Sequence, residues 1–148
     1  MSASDQETSA WRTLSATPVL PVSDTAASVA FYCDALGFRA VHREEGYAIV
    51  ARDGVELHFW RAGDESWRTR TDAPPIESGA ESFLAGTASC RIRVDGIEAL
   101  AAAHARCQAA GIVHPNGPLQ DKPYGLREFA ILDPDGNLAT FFTPTPPA

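Results

Sequence analysis

The sequence predicts an α+β fold of two βαβββ units, whose strands form a half-barrel sheet with the helices outside. Three observations predict it. A short apolar run closed by an acidic residue precedes a helical stripe at two places in the chain. Both stripes repeat their main residues at the same helical steps. Both are followed by strand-length segments separated by turn residues.

Taken in order, Thr17 to Val22 is the first strand. Asp24 suits the cap of the helix that follows, because its carboxylate can accept from free backbone N–H groups. Ala26, Val29, Cys33 and Leu36 fall on one face of that helix, and Gly37 supplies its stop. Arg39 to Arg43, Tyr47 to Arg52 and Val55 to Arg61 are the next strands, with Arg52-Asp53-Gly54 as a hairpin turn. In the second unit, Ile92 and Val94 alternate in a strand that starts at Cys90 and ends at Asp95, read as a second helix cap. Ile97, Leu100, His104 and Cys107 form the second stripe, and Gly111 closes it. Ile112 to His114, Arg127 to Leu132 and Asn137 to Thr143 complete the unit, with Asp133-Pro134-Asp135-Gly136 as the last turn. One such unit cannot bury its sheet face alone, so two lie side by side around a groove. The single domain spans residues 15–144, with units 15–61 and 88–144. Residues 62–87, rich in Gly, Pro, Ser and charge, read as a linker or lid, in which Trp67 and Phe83 are expected to pack. Residues 1–14 read as a disordered tail.

Composition narrows the function. The net charge of −7 disfavours nucleic acid and attracts a cationic small molecule, although mild acidity is also ordinary. Cys33, Cys90 and Cys107 cannot all pair and read as small buried hydrophobes in a reducing, cytoplasmic compartment. No run approaches the ~18 apolar residues of a membrane span, and the polar start of the chain lacks the features of a signal peptide.

Two stretches carry a resemblance. LPVSDTAASVAFYCDALGF and DKPYGLREFAILDPDGNLATFF resemble the first unit and the last strands of bleomycin resistance proteins, in the glyoxalase/bleomycin resistance/dioxygenase (vicinal-oxygen-chelate) superfamily. The resemblance spans roughly residues 16–142. It implies a glyoxalase/bleomycin-resistance-like fold and a homodimer with grooves at the subunit interface and a swapped first strand. It further implies sequestration of a bleomycin-type glycopeptide antibiotic, without chemistry. Enzymes of this superfamily hold a divalent metal at positions that match Thr17, Glu56, Ser89 and Thr140. Only Glu56 is a usual ligand there, since neutral hydroxyls bind divalent ions weakly. His58 shares its strand face but no third ligand accompanies the pair, so the expectation is no metal and no cofactor.

Strand parity proposes the groove lining. Leu57 and Phe59 take the core, leaving Glu56, His58 and Trp60 inward. Ile92 and Val94 take the core, leaving Arg91 and Arg93. Ala139 and Phe141 take the core, leaving Leu138, Thr140 and Phe142. A mixed aromatic and polar lining suits a small-molecule site, while Trp60 and Phe142 equally suit dimer or core packing. The resemblance adds Tyr47, at a position that is aromatic in the family, and Tyr124, at the tryptophan of its Pro-Trp-Gly segment. Both rings can stack on a bithiazole. Glu44 and Glu45 either meet a cationic tail or form a solvated charge run. His42 replaces a frequent phenylalanine, and Arg91 and Arg93 replace tryptophans of one branch. The candidate ligand-binding residues are therefore His42, Tyr47, Glu56, His58, Trp60, Arg91, Tyr124 and Phe142. His104 and His114 read as structural. No nucleophile arrangement stands out, and no catalytic residue is assigned.

Three functions remain open. One is sequestration of a cationic, aromatic antibiotic. A second is metal-free binding of another, anionic metabolite, which arginines free in the groove would favour. The third is a lyase, isomerase or dioxygenase of the superfamily, against which the residues at the metal positions count.

Overall fold

The computed structural model describes residues 10–63 and 83–147. The first unit runs β1 (Val19–Val22), α1 (Thr25–Leu36), β2 (Arg39–Arg43), β3 (Tyr47–Arg52) and β4 (Val55–Arg61). The second runs β5 (Ser89–Arg93), α2 (Ile97–Ala109), β6 (Gln120–Asp121), β7 (Leu126–Leu132) and β8 (Leu138–Pro144). Each unit forms its own four-stranded sheet, ordered β1-β4-β3-β2 and β5-β8-β7-β6. In both, the first strand pairs parallel with the last, and the other pairs are antiparallel. The expected half-barrel sheet is thus two four-stranded sheets that share no strand pair, and the strand order of the first repeats in the second. The expectation for Trp67 lies outside the described residues. Phe83, expected to pack, is 56% exposed.

Alternation places most of the core as expected, with Val94 only half-buried against it and Thr140, expected on the groove face, buried. Leu57, Phe59, Ile92, Ala139 and Phe141 are buried with Val29, Leu100 and Phe129, each large side chain contributing roughly 1.5–3 kcal/mol. The helix faces differ from the expected stripes. In α1, Asp24 caps by accepting from Ala27 N at 3.2 Å, and Gly37 closes the helix at φ 75°. Its buried face, however, is Thr25, Ser28, Val29, Tyr32 and Leu36; Ala26 is exposed and Cys33 half-buried. The large Tyr32 ring sets that rotation, wedged against Phe31, Phe38 and Phe59. In α2 the cap position is Gly96, at φ 102°, not Asp95. A capping side chain must sit immediately before the first helical residue, and Gly96 intervenes.

Two strand expectations also change. β1 starts at Val19 rather than Thr17 and pairs parallel with β4. Ile112 to His114 forms only an isolated bridge, Val113 to Ile131. Pro115 and Pro118 lack an N–H and cannot extend a ladder there. The outer pairing of β7 passes instead to the two-residue β6, which the sequence reading lacked.

The Asp-Pro-Asp-Gly-Asn turn fastens the two units together. Asp133 Oδ1 accepts from Asp135 N and Asn137 N, both at 2.9 Å, which closes the turn. Asn137, fully buried, donates to Pro21 O at 2.9 Å and accepts from Ala88 N at 3.0 Å. Ser23 donates to Asp135, and Tyr32 Oη to Asp133 Oδ2 at 3.3 Å. Burial and the neighbouring Asp133 push the Tyr32 hydroxyl far above its usual range, so it stays a protonated donor. The most specific stretch of the sequence is therefore a structural latch.

Candidate functional site

The face of the first sheet opposite α1 carries five of the eight candidate residues. Tyr47 pairs with Trp60 across β3 and β4, and Ile49 with His58, so their side chains share a face. The Tyr47 and Trp60 rings lie 4.3 Å apart at 34°. His42 joins them, 5.4 Å from Tyr47. Simple alternation from Arg39 would turn His42 toward the core. A register shift between Ala40 and His42 leaves Val41 without a partner and pairs His42 with Ile49. This bulge re-aims the side chain. His58 bridges Tyr47 Oη, at 3.3 Å from Nδ1, and Glu56 Oε1, at 2.7 Å from Nε2. Desolvation, then Glu56 and Glu44, push the Tyr47 hydroxyl above its usual range, so the ring faces a ligand neutral.

The second sheet carries Arg91 and Phe142, with Tyr124 on the turn before β7, and adds a residue the sequence reading missed. Glu128 lies opposite Phe142 in the β7–β8 register. Parity puts it on the face away from the core, yet it is only 7% exposed. Arg91 Nη2 donates to its Oε2 and Tyr124 Oη to its Oε1, each at 2.7 Å. The Arg91 guanidinium also lies over the Phe142 ring, 4.7 Å from its centroid. Burial alone would raise the Glu128 carboxyl, but the hydrogen bonds from Arg91 and Tyr124 outweigh it and hold it below the usual range. Beside this cluster lies a cavity of about 310 Å³ whose lining includes Arg91, Lys122, Glu128, Thr140 and His114. Tyr124 is 60% exposed, at a rim rather than in a pocket. Gly125, at φ 84°, turns the chain beside it, and Thr145 N bonds to Gly125 O at 2.9 Å.

The structure thus gathers the eight candidates into two groups, one per sheet. Among the described residues, no hydrogen bond, ion pair or ring stack joins one group to the other. Arg91 is not the free groove cation that an anionic ligand would favour, because Glu128 is its partner. Glu44 and Glu45 line a different cavity, about 390 Å³, with Asp24, Val29 and Arg43 on the α1 side. Their side chains meet His42 at 3.4 Å and Arg61 at 3.1 Å. His104 packs edge-on against Phe129, and His114 Nδ1 accepts from Asn116 N at 2.9 Å.

The residues at the superfamily's metal positions do not fit a divalent ion. Thr17 is exposed ahead of β1, Ser89 opens β5, and Thr140 is buried in β8. All three offer neutral hydroxyls, and Glu56 is engaged by His58. Among the described residues, no group of three or more His, Cys, Asp or Glu is placed to hold a metal.

Comparison with known proteins agrees with this architecture. A family model, "Glyoxalase/Bleomycin resistance protein/Dioxygenase superfamily", matches residues 15–141. A bleomycin resistance protein of Geobacillus stearothermophilus is 49% identical over 129 residues, which is 87% of this chain and 96% of that protein. The bleomycin-binding protein of bleomycin-producing Streptomyces verticillus, solved with copper(II)-bleomycin, superposes with a TM-score of 0.63 at 28% identity, covering 93% of this chain and 99% of that one. Lactoylglutathione lyase from Agrobacterium tumefaciens shares the fold, with a TM-score of 0.69 at 22% identity over 88% of this chain and 93% of that one. A bleomycin-binding protein and a lyase thus share this fold. With its duplicated βαβββ unit and a match over nearly its whole folded length, this chain belongs to the glyoxalase/bleomycin resistance protein/dioxygenase superfamily.

Proposed function

We propose that this protein binds a bleomycin-type glycopeptide antibiotic and confers resistance by withholding it, without chemical turnover. The observation that carries the reading is the run of rings His42, Tyr47 and Trp60 on one sheet face, none of them in the core. Flat rings at a solvent boundary suit stacking on a planar heteroaromatic group. The pairing of Arg91 with Glu128 supports a cationic ligand over an anionic one, and the net charge of −7 attracts such a ligand at long range. The neutral hydroxyls at Thr17, Ser89 and Thr140 support binding without a metal-dependent reaction. The 49% identity to bleomycin resistance proteins supports the same ligand class.

The reading includes a cytoplasmic homodimer. The two ring groups lie on separate sheets, and each sheet leaves two edge strands that a second copy can cover. A groove between two subunits would bring such groups to one ligand. Among the described residues, no helix is long and apolar enough to cross a membrane. The decisive experiment is a titration of purified protein with metal-free and copper-loaded bleomycin, followed by tryptophan fluorescence and calorimetry. Saturable binding at about one drug per subunit is expected. Tyr124→Ala should weaken it roughly 30-fold, as expected for loss of an aromatic anchor that the dimer buries. Absence of saturable binding, or a Tyr124→Ala affinity within about twofold of wild type, argues against the reading.

A further inference from the structure

We propose that Glu128 determines which charge the binding face accepts. By neutralising Arg91 and holding Tyr124, it shifts the preference of this face toward a cationic aromatic ligand and away from an anionic one. The inference rests on the reading of this face as a ligand-binding surface, and it names the residue that sets selectivity there.

The geometry points to this role in three ways. First, Glu128 is nearly buried on the non-core face of β7. Burying a carboxylate is costly unless its oxygens are occupied, and both are, at 2.7 Å each. Second, the residues around it are cationic or neutral. Arg91 is in contact, and Lys122 lines the adjoining cavity with His114, Gln120 and Thr140. Glu128 offsets one of the two positive charges, and without it both Arg91 and Lys122 stand uncompensated. Third, Glu128 links the charge to the aromatic surface. One oxygen holds the guanidinium that covers Phe142, and the other holds the hydroxyl of Tyr124. Tyr124 is 60% exposed, so this hydrogen bond restricts a ring that solvent would otherwise leave mobile. Removing the carboxylate charge therefore leaves two uncompensated cations, Arg91 and Lys122, where there was one, while an isosteric amide can still accept from the tyrosine.

The test uses the full-length protein and two bithiazole probes with the same ring system, one ending in a primary amine and the other in a carboxylate. Affinities are measured by fluorescence titration at low and high salt for wild type, Glu128→Gln, and Glu128→Gln combined with Arg91→Gln. Wild type should prefer the amine. One added unit of charge several ångströms away in a partly solvated site corresponds to about a tenfold change for each probe, in opposite directions. Glu128→Gln should thus weaken the amine probe, strengthen the carboxylate probe, and shift their affinity ratio by roughly a hundredfold. High salt should compress the shift. The double substitution removes both charges and should return the ratio to within about threefold of wild type. That rescue distinguishes charge selection from a merely structural contact.

Equal weakening of both probes in Glu128→Gln would overturn the inference, as would a ratio unchanged within about twofold. Wild-type protein that takes neither probe would overturn it as well. A parallel titration with metal-free bleomycin separates the two proposals. Bleomycin binding with an unchanged probe ratio removes the role of Glu128 and keeps the function. A reversed ratio without bleomycin binding keeps the role of Glu128 and removes the function.

Discussion

Substitution of Asn137 should destabilise the protein through its hydrogen bonds rather than its volume. Its side chain is fully buried and holds Ala88 N at 3.0 Å, Pro21 O at 2.9 Å and Asp133 Oδ2 at 3.0 Å. In Asn137→Ala, the Ala88 N–H loses its acceptor, at a cost of about 1–3 kcal/mol. Pro21 O keeps Gly86 N at 3.2 Å, and Asp133 Oδ2 keeps Tyr32 Oη at 3.3 Å. Each of those two losses then approaches an ordinary net hydrogen bond, about 1 kcal/mol. The sum is about 3–5 kcal/mol, which for a chain of this length lowers Tm by roughly 10 °C. Asn137→Asp preserves shape and the acceptor for Ala88 N. It replaces the donor with a carboxylate oxygen facing Pro21 O and the Asp133 carboxylate, so its cost at neutral pH should exceed that of alanine. Urea denaturation with a constant m-value measures both. A loss below about 1 kcal/mol for Asn137→Ala, or a more stable Asn137→Asp at pH 7, would refute the reasoning.

Three further outcomes follow from the same structure. Glu128 is held below the usual carboxylate range in the folded state, so its contribution is full above the unfolded pKa and fades as pH falls through the folded one. Denaturant midpoints measured across the acid range should fall less steeply for Glu128→Gln than for wild type, and equal slopes would count against the ion pair. Burial, with Asp133 adding to it at Cys90, pushes the Cys90 and Cys107 thiols up to about 11 each; at pH 8 iodoacetamide should label the half-buried Cys33 first and reach the other two only on unfolding, as peptide mass mapping would show. Gly86 has φ 83°, and a Cβ there would stand 1.9 Å from Asp135 O; Gly86→Ala should therefore cost about 2 kcal/mol or more in thermal or chemical denaturation.

Several features of this protein are local, and the sequence by itself determined them. The residue order of three first-unit strands, Arg39–Arg43, Tyr47–Arg52 and Val55–Arg61, is legible to the residue. Their apolar alternation and turn chemistry depend only on near neighbours. The same parity separated Leu57 and Phe59 from Glu56, His58 and Trp60, and the duplicated pattern specified the fold class. Tertiary structure decided what depends on distant partners. Tyr32 set the buried face of α1, because its ring and hydroxyl find Phe59 and Asp133. A bulge, invisible to simple alternation, put His42 beside Tyr47. The charge of the second sheet's face was the least legible, since Arg91 and Glu128 are 37 residues apart and lie on strands separated by β8. Their pairing requires the β5–β8–β7 register to bring them over Phe142, and a short-range pattern cannot report which charges meet across a sheet.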